Sequence, residues 1–117
     1  MGYRQDRQIS FRFEDDRIVR SVVHPDGNSY DHRCPLEALE IVAHVLDETP
    51  RDGKGATMPE IVQAESLPYT QVDVALAFLQ DRGIIERRRR RSYPASGSVH
   101  LDALVEWHAM REEVKAR

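Results

Sequence analysis

One cysteine, Cys34, leaves no partner for an intramolecular disulfide, so the core must hold by packing alone. The chain has no N-terminal apolar h-region and no long apolar run, so nothing points to export or membrane insertion, and a soluble, cytoplasmic protein with no membrane partner is expected. Repeats of solenoid length are missing, as is low-complexity sequence apart from a run of arginines. An excess of positive charge is also lacking. With 17 Lys and Arg against 20 Asp and Glu, the formal net charge is -3, so attraction to nucleic acid can come only from a local cluster. At 117 residues and 40% hydrophobic content the chain supports a single domain (1–117) with a modest core, too small for a large enclosed catalytic cavity. A binding module is therefore favoured over an enzyme.

Catalytic and metal patterns are equally scarce. Gly53-Lys54-Gly55-Ala56-Thr57 lacks the P-loop spacing, since no glycine stands five residues before Lys54 and the preceding segment reads as helix rather than strand. His24, His32, Cys34 and His44 lack the close paired spacing of a metal site. His100, Glu106 and His108 form no nucleophile, base and orienter set. Cys34 precedes a helix start, where a thiolate is electrostatically favoured, but a lone cysteine there is more often packed or capping. No catalytic residue, cofactor or metal is expected.

What is present is a clear order of elements. Residues 8 to 14 alternate, placing Ile9, Phe11 and Phe13 on one face of a strand, and Ile18, Val19, Val22 and Val23 follow a polar turn, so residues 1–33 predict an N-terminal β-hairpin extension. Pro35 suits the first position of a helix, and Leu36, Leu39, Val42, Ala43 and Leu46 continue it over 35–48. Thr57 can cap a short second helix ending near Glu65. Val72, Ala75, Leu76 and Leu79 share one face of a third helix over about 68–82, which Gly83 terminates in a left-handed conformation. Ile84 to Tyr93 reads as a strand, Pro94 to Ser98 as a turn, and Val99-His100-Leu101 as a returning strand. Asp102 can cap a final helix over 102–117, in which Ala103, Trp107, Met110 and Val114 recur at the rhythm of a helix packed along another.

The stretch TMPEIVQAESLPYTQVDVALAFLQDRGIIERRRRR, with Ile61, Val62, Leu67, Val72, Leu76, Leu79 and Gly83-Ile84-Ile85 at its core positions, resembles a winged helix-turn-helix of the MarR-like and GntR-like pattern over about residues 35–101. The resemblance implies an α+β fold: a three-helix core with a β-wing, here extended by the N-terminal hairpin and the C-terminal helix. It also implies a DNA-binding transcriptional regulator, with the third helix in the major groove of double-stranded DNA and the wing on the backbone. Ser66 stands where the turn glycine is usual. With Val72 and Leu76 pointing inward, helical spacing turns Tyr69, Thr70, Asp73, Val74 and Ala77 outward, with Gln71 at the margin. Tyr69, Thr70, Gln71 and Asp73 are thus the candidate base-facing residues, Asp73 as an acceptor for a cytosine amine.

Arg87, Arg88, Arg89, Arg90 and Arg91 supply the local cluster, and arginine neutralises phosphates and releases condensed counterions. A continuous strand would place Arg87, Arg89 and Arg91 on one face with Arg88 and Arg90 on the other. Five consecutive arginines exceed what protection of an edge strand needs. A homodimer, with the C-terminal helix or the N-terminal hairpin as its seam, would supply two half-sites. The alternative from a different class is a protein–protein module whose arginine wing docks an acidic partner, because function resides in sites grafted on folds.

Overall fold

The computed structural model describes residues 7–117, so residues 1–6 of the expected N-terminal extension lie outside the described residues. Among the described residues, four helices and two small antiparallel sheets make up an α+β fold. The alternation at Ile9, Phe11 and Phe13 forms β1 (Gln8–Glu14), which turns through Asp15 and Asp16 into β2 (Arg17–Val23). Both aspartates take positive φ, 53° and 58°, a region that short polar side chains tolerate better than most.

Ser29–Pro35, where no strand was expected, is β3 and pairs with β2 along its length. The N-terminal unit is therefore a three-stranded meander, β1-β2-β3, and not a hairpin. The strand was hard to see because its core-facing row is Tyr30, His32 and Cys34, with little aliphatic content. Across the sheet Phe13, Ile18 and Cys34 form one row on the buried face, and Phe11, Arg20 and His32 form the next.

Pro35, expected as the first helical residue, instead ends β3 and stands at the N-cap position, so α1 (Leu36–Asp47) begins one residue after the expected start. Ala38, Leu39, Val42, Ala43 and Leu46 bury its inner face. After β4 (Ala56–Thr57), the Thr57 hydroxyl accepts from the Glu60 N–H and the Glu60 carboxylate accepts from the Thr57 N–H, a reciprocal cap that opens α2 (Met58–Glu65). Ser66 follows in the left-handed region, φ 55°, doing the work of a turn glycine, and α3 (Tyr69–Asp81) begins after Pro68. Gly83 has φ 72°, as expected of a helix terminator.

Beyond Gly83 the expected boundaries shift. The single strand over Ile84 to Tyr93 is instead two, β5 (Ile85–Arg88) and β6 (Arg91–Pro94), so the hairpin turns inside the arginine run. Val99-His100-Leu101 is not a returning strand but the first turn of α4 (Val99–Lys115). Three alternating residues cannot distinguish a strand from a helix start, and a distant group decides: the Asp47 carboxylate accepts from the backbone N–H groups of Val99 and His100, at 2.6 and 3.0 Å. The cap is Ser98, whose hydroxyl accepts from the Leu101 N–H, and Asp102 lies within the first turn. Ala103 and Trp107 are buried in the chain's own core, where Trp107 meets Phe13 edge-on with ring centroids 5.0 Å apart.

The meander lies over α3. Val72, Ala75, Leu76 and Leu79 are buried on one side of this helix, which packs on α1 and α2. Val74 and Phe78, on the other side, are fully buried as well, because β2 and β3 pack there. Phe11 contacts Phe78 edge-on, with centroids 5.6 Å apart. Helix α3 is thus enclosed on both sides along its middle.

Cys34, where the meander meets α1, is buried, and desolvation pushes its thiol up to about 12, so it is no redox-active thiolate. In the folded chain, alkylation of Cys34 at neutral pH is expected to be slow and to rise to the rate of an ordinary thiol on denaturation. Between the ordinary thiol pKa of 9.0 and about 12 the unfolded chain loses this proton while the folded chain keeps it, so stability declines as pH rises above 9.0. Rapid native-state alkylation would contradict this burial.

Candidate nucleic-acid interface

The register of β5 and β6 pairs Arg88 with Arg91 and leaves Arg89 and Arg90 as a two-residue loop. The expected division of the run into odd and even faces is therefore replaced. Glu86, Arg88, Arg91 and Tyr93 share one face, Arg87 shares the other with Ile85 and Ser92, and Arg89 and Arg90 form the tip. Ser92 and Ile85 are buried, which fixes that second face towards the core. The tip arginines have φ of 52° and 69°. A two-residue hairpin loop with positive φ at both positions is one that Asn-Gly or Gly-Gly fills with least strain. Two arginines there are conformationally unfavourable, and both are exposed.

On the outer face the Arg88 guanidinium sits 4.1 Å from the Tyr93 ring centroid and pairs with Glu86 at 3.6 Å, both carried at the surface. Arg91 Nη1 and the Tyr93 hydroxyl both donate to the Lys54 carbonyl, at 3.3 and 3.2 Å. The loop before β4 is thereby tied to the hairpin. Hydrogen bonds from Thr57 hold the Glu60 carboxyl below the usual range, and the positive charges of Arg91 and Lys54 lower it further, which locates both cations near the start of α2.

Pairing separates these arginines from most others. Arg12, Arg20, Arg33, Arg82, Arg111 and Arg117 each lie against a carboxylate. Arg87, Arg89, Arg90, Arg91 and Lys54 have no such partner among the described residues. A chain of net negative charge therefore gathers an excess of positive charge at one hairpin, offset in part by Glu86 beside Arg88 and by Glu60 near Arg91 and Lys54.

The candidate base-facing residues divide. Tyr69, 55% exposed, and Thr70 stand free at the start of α3, and Gln71 is half-buried. Asp73 instead pairs with Arg20 of β2 at 2.8 Å, within the chain. Val74, expected outward, is fully buried by the meander, and Ala77 is half-buried. Arg20 itself is 9% exposed, with His32 Nδ1 3.3 Å from its Nη2. The sequence signal for this cover was the apolar pair Val74 and Phe78 at i and i+4, a second stripe that a groove-facing helix has no use for.

A groove lies elsewhere, between β1 and α4, with a volume of about 430 Å³ and Phe11, Met110, Arg82 and Glu106 among its walls. It brings together no nucleophile and base. Among the described residues no three His, Cys, Asp or Glu side chains are placed to hold a metal ion, and no helix is long and apolar enough to cross a membrane. Comparison with protein-family models, curated proteins and solved structures finds no match to this chain.

Proposed function

We propose that this chain is a winged-helix protein that binds double-stranded DNA chiefly through phosphate contacts of the Arg87 to Arg91 hairpin, with weak sequence preference. The observation that carries this reading is the excess of positive charge at that hairpin, where Arg87, Arg89, Arg90 and Arg91 have no ion-pair partner among the described residues. The order α1, β4, α2, α3, β5, β6, with the sheet arranged β4-β6-β5, supports a winged helix. The role of α3 is narrower than the family pattern implies. A major groove about 12 Å wide admits one helix of about 10–12 Å diameter, and here the middle of α3 carries a sheet. Access to base edges is left to Tyr69, Thr70 and Gln71 at the start of the helix, the end that contacts bases in helix-turn-helix proteins. A transcriptional role would then act through position on the duplex more than through a long recognition sequence.

Binding to several duplexes of unrelated mixed sequence tests this. Affinities are expected to agree within about tenfold, because few bidentate base contacts are available, each of which discriminates by about 1–3 kcal/mol. Preference of about a thousandfold for one sequence would show that bases are read extensively, and no binding to any duplex would remove DNA as the partner. The covered face of α3 also favours a second reading, in which the arginine hairpin docks an acidic protein surface. Binding to poly-glutamate stronger than to duplex would select it.

A further inference from the structure

We infer that Lys54, in the loop between α1 and β4, is a second phosphate-contacting arm of the arginine surface, and that Tyr93 is the residue that positions it. This rests on the reading of the hairpin as a DNA-binding site and adds to it a residue from a different part of the chain. The loop is built against the hairpin and does not merely pass it. Gly55 has φ 73°, and a Cβ placed there would lie 2.7 Å from the Tyr93 ring and 3.0 Å from the Ser92 carbonyl oxygen. Only glycine allows this approach. The Lys54 carbonyl then receives two hydrogen bonds, from Tyr93 and Arg91, and the next two residues pair with β6 as Ala56 with Ser92 and Thr57 with Arg91.

These contacts fix the backbone of Lys54 and leave its side chain exposed, with no carboxylate partner among the described residues. Glu60 feels the charges of both Lys54 and Arg91, so one carboxylate stands against two cations at this point. Placing another positive charge beside Arg91 raises local repulsion, which a bound polyanion relieves. The same Tyr93 ring carries Arg88 on its face while its hydroxyl holds the Lys54 carbonyl, so one side chain sets the spacing of two cations.

The test is the slope of log affinity against log salt for a mixed-sequence duplex, measured with the native chain, Lys54→Gln, Tyr93→Phe, the double variant, and Arg89→Ala with Arg90→Ala. Lys54→Gln is expected to flatten the slope by about 0.9, one phosphate contact, with thermal stability unchanged because the side chain is exposed. Tyr93→Phe keeps the ring under Arg88 and loses only the hydroxyl, so it is expected to flatten the slope in the native background and to add nothing in Lys54→Gln, the non-additivity of a positioning residue. If the tip variant flattens the slope and Lys54→Gln leaves it unchanged, the inference about Lys54 fails while the DNA reading stands. If Tyr93→Phe weakens binding equally in both backgrounds, its positioning role fails. If the tip variant also leaves binding unchanged, the DNA reading fails with it.

Discussion

Replacing Phe78 with alanine is expected to remove about 3–5 kcal/mol of stability and to lower the melting temperature by more than about 10 °C. Phe78 is fully buried between α3 and the meander and meets Phe11 edge-on, so truncation leaves a cavity that neither rigid element can collapse to fill. Phe78→Leu, which keeps most of the volume, is expected to lose about 1 kcal/mol, and Thr70→Ala on the exposed start of the same helix less than about 0.5 kcal/mol. Chemical denaturation followed by circular dichroism separates these values. The result matters for function because it decides whether the meander is core or cover. A loss below about 1 kcal/mol for Phe78→Ala, or a separate early transition for the meander, would mean that the sheet can leave α3 and that the middle of the helix is available to a groove. The chemistry of the face argues against this: lifting the sheet would expose Val74 and Phe78 to water and leave Arg20 and Asp73 without each other.

The second large effect is a gain. Arg89→Asn combined with Arg90→Gly is expected to stabilise the fold by about 1–2 kcal/mol, since left-handed backbone costs a non-glycine residue about 1–2 kcal/mol and Asn-Gly is the pair this loop prefers. Stability held below its attainable value at a functional tip is a common trade, and here the charge of two arginines stands against the conformation of the loop. Equal or lower stability in the double variant would mean that the tip arginines make contacts that offset their strain, and would weaken the inference that they are kept for a partner.

Much of this architecture was legible in the chain. The caps at Thr57 and Gly83 and the inner stripe of α3 read directly, because each is local chemistry acting over three or four residues. What escaped depends on distant groups. β3 exists because β2 offers it a ladder, although His32, Arg33 and Asp31 do not read as a strand. The start of α4 is fixed by Asp47, over fifty positions earlier in the chain, and the outward direction assigned to Val74 failed because the meander supplies a second core that single-helix spacing cannot reveal. The arginine run was visible as charge, yet its geometry was not: the turn falls between Arg88 and Arg91, and turn chemistry alone would have looked for glycine or asparagine. Of the candidate site residues, Tyr69 and Thr70 stand free as expected, Gln71 is half-buried, and Asp73 is taken up by Arg20.

The most direct measurement is the salt dependence of binding to a mixed-sequence duplex by the native chain and by the Arg89→Asn, Arg90→Gly variant. Phosphate contact by the hairpin predicts measurable duplex binding whose log affinity falls steeply with log salt, and a slope flatter by about 1.8 in the variant, two contacts at about 0.9 each, even though the variant is the more stable protein. An absence of duplex binding, or an identical slope for both proteins, would contradict it.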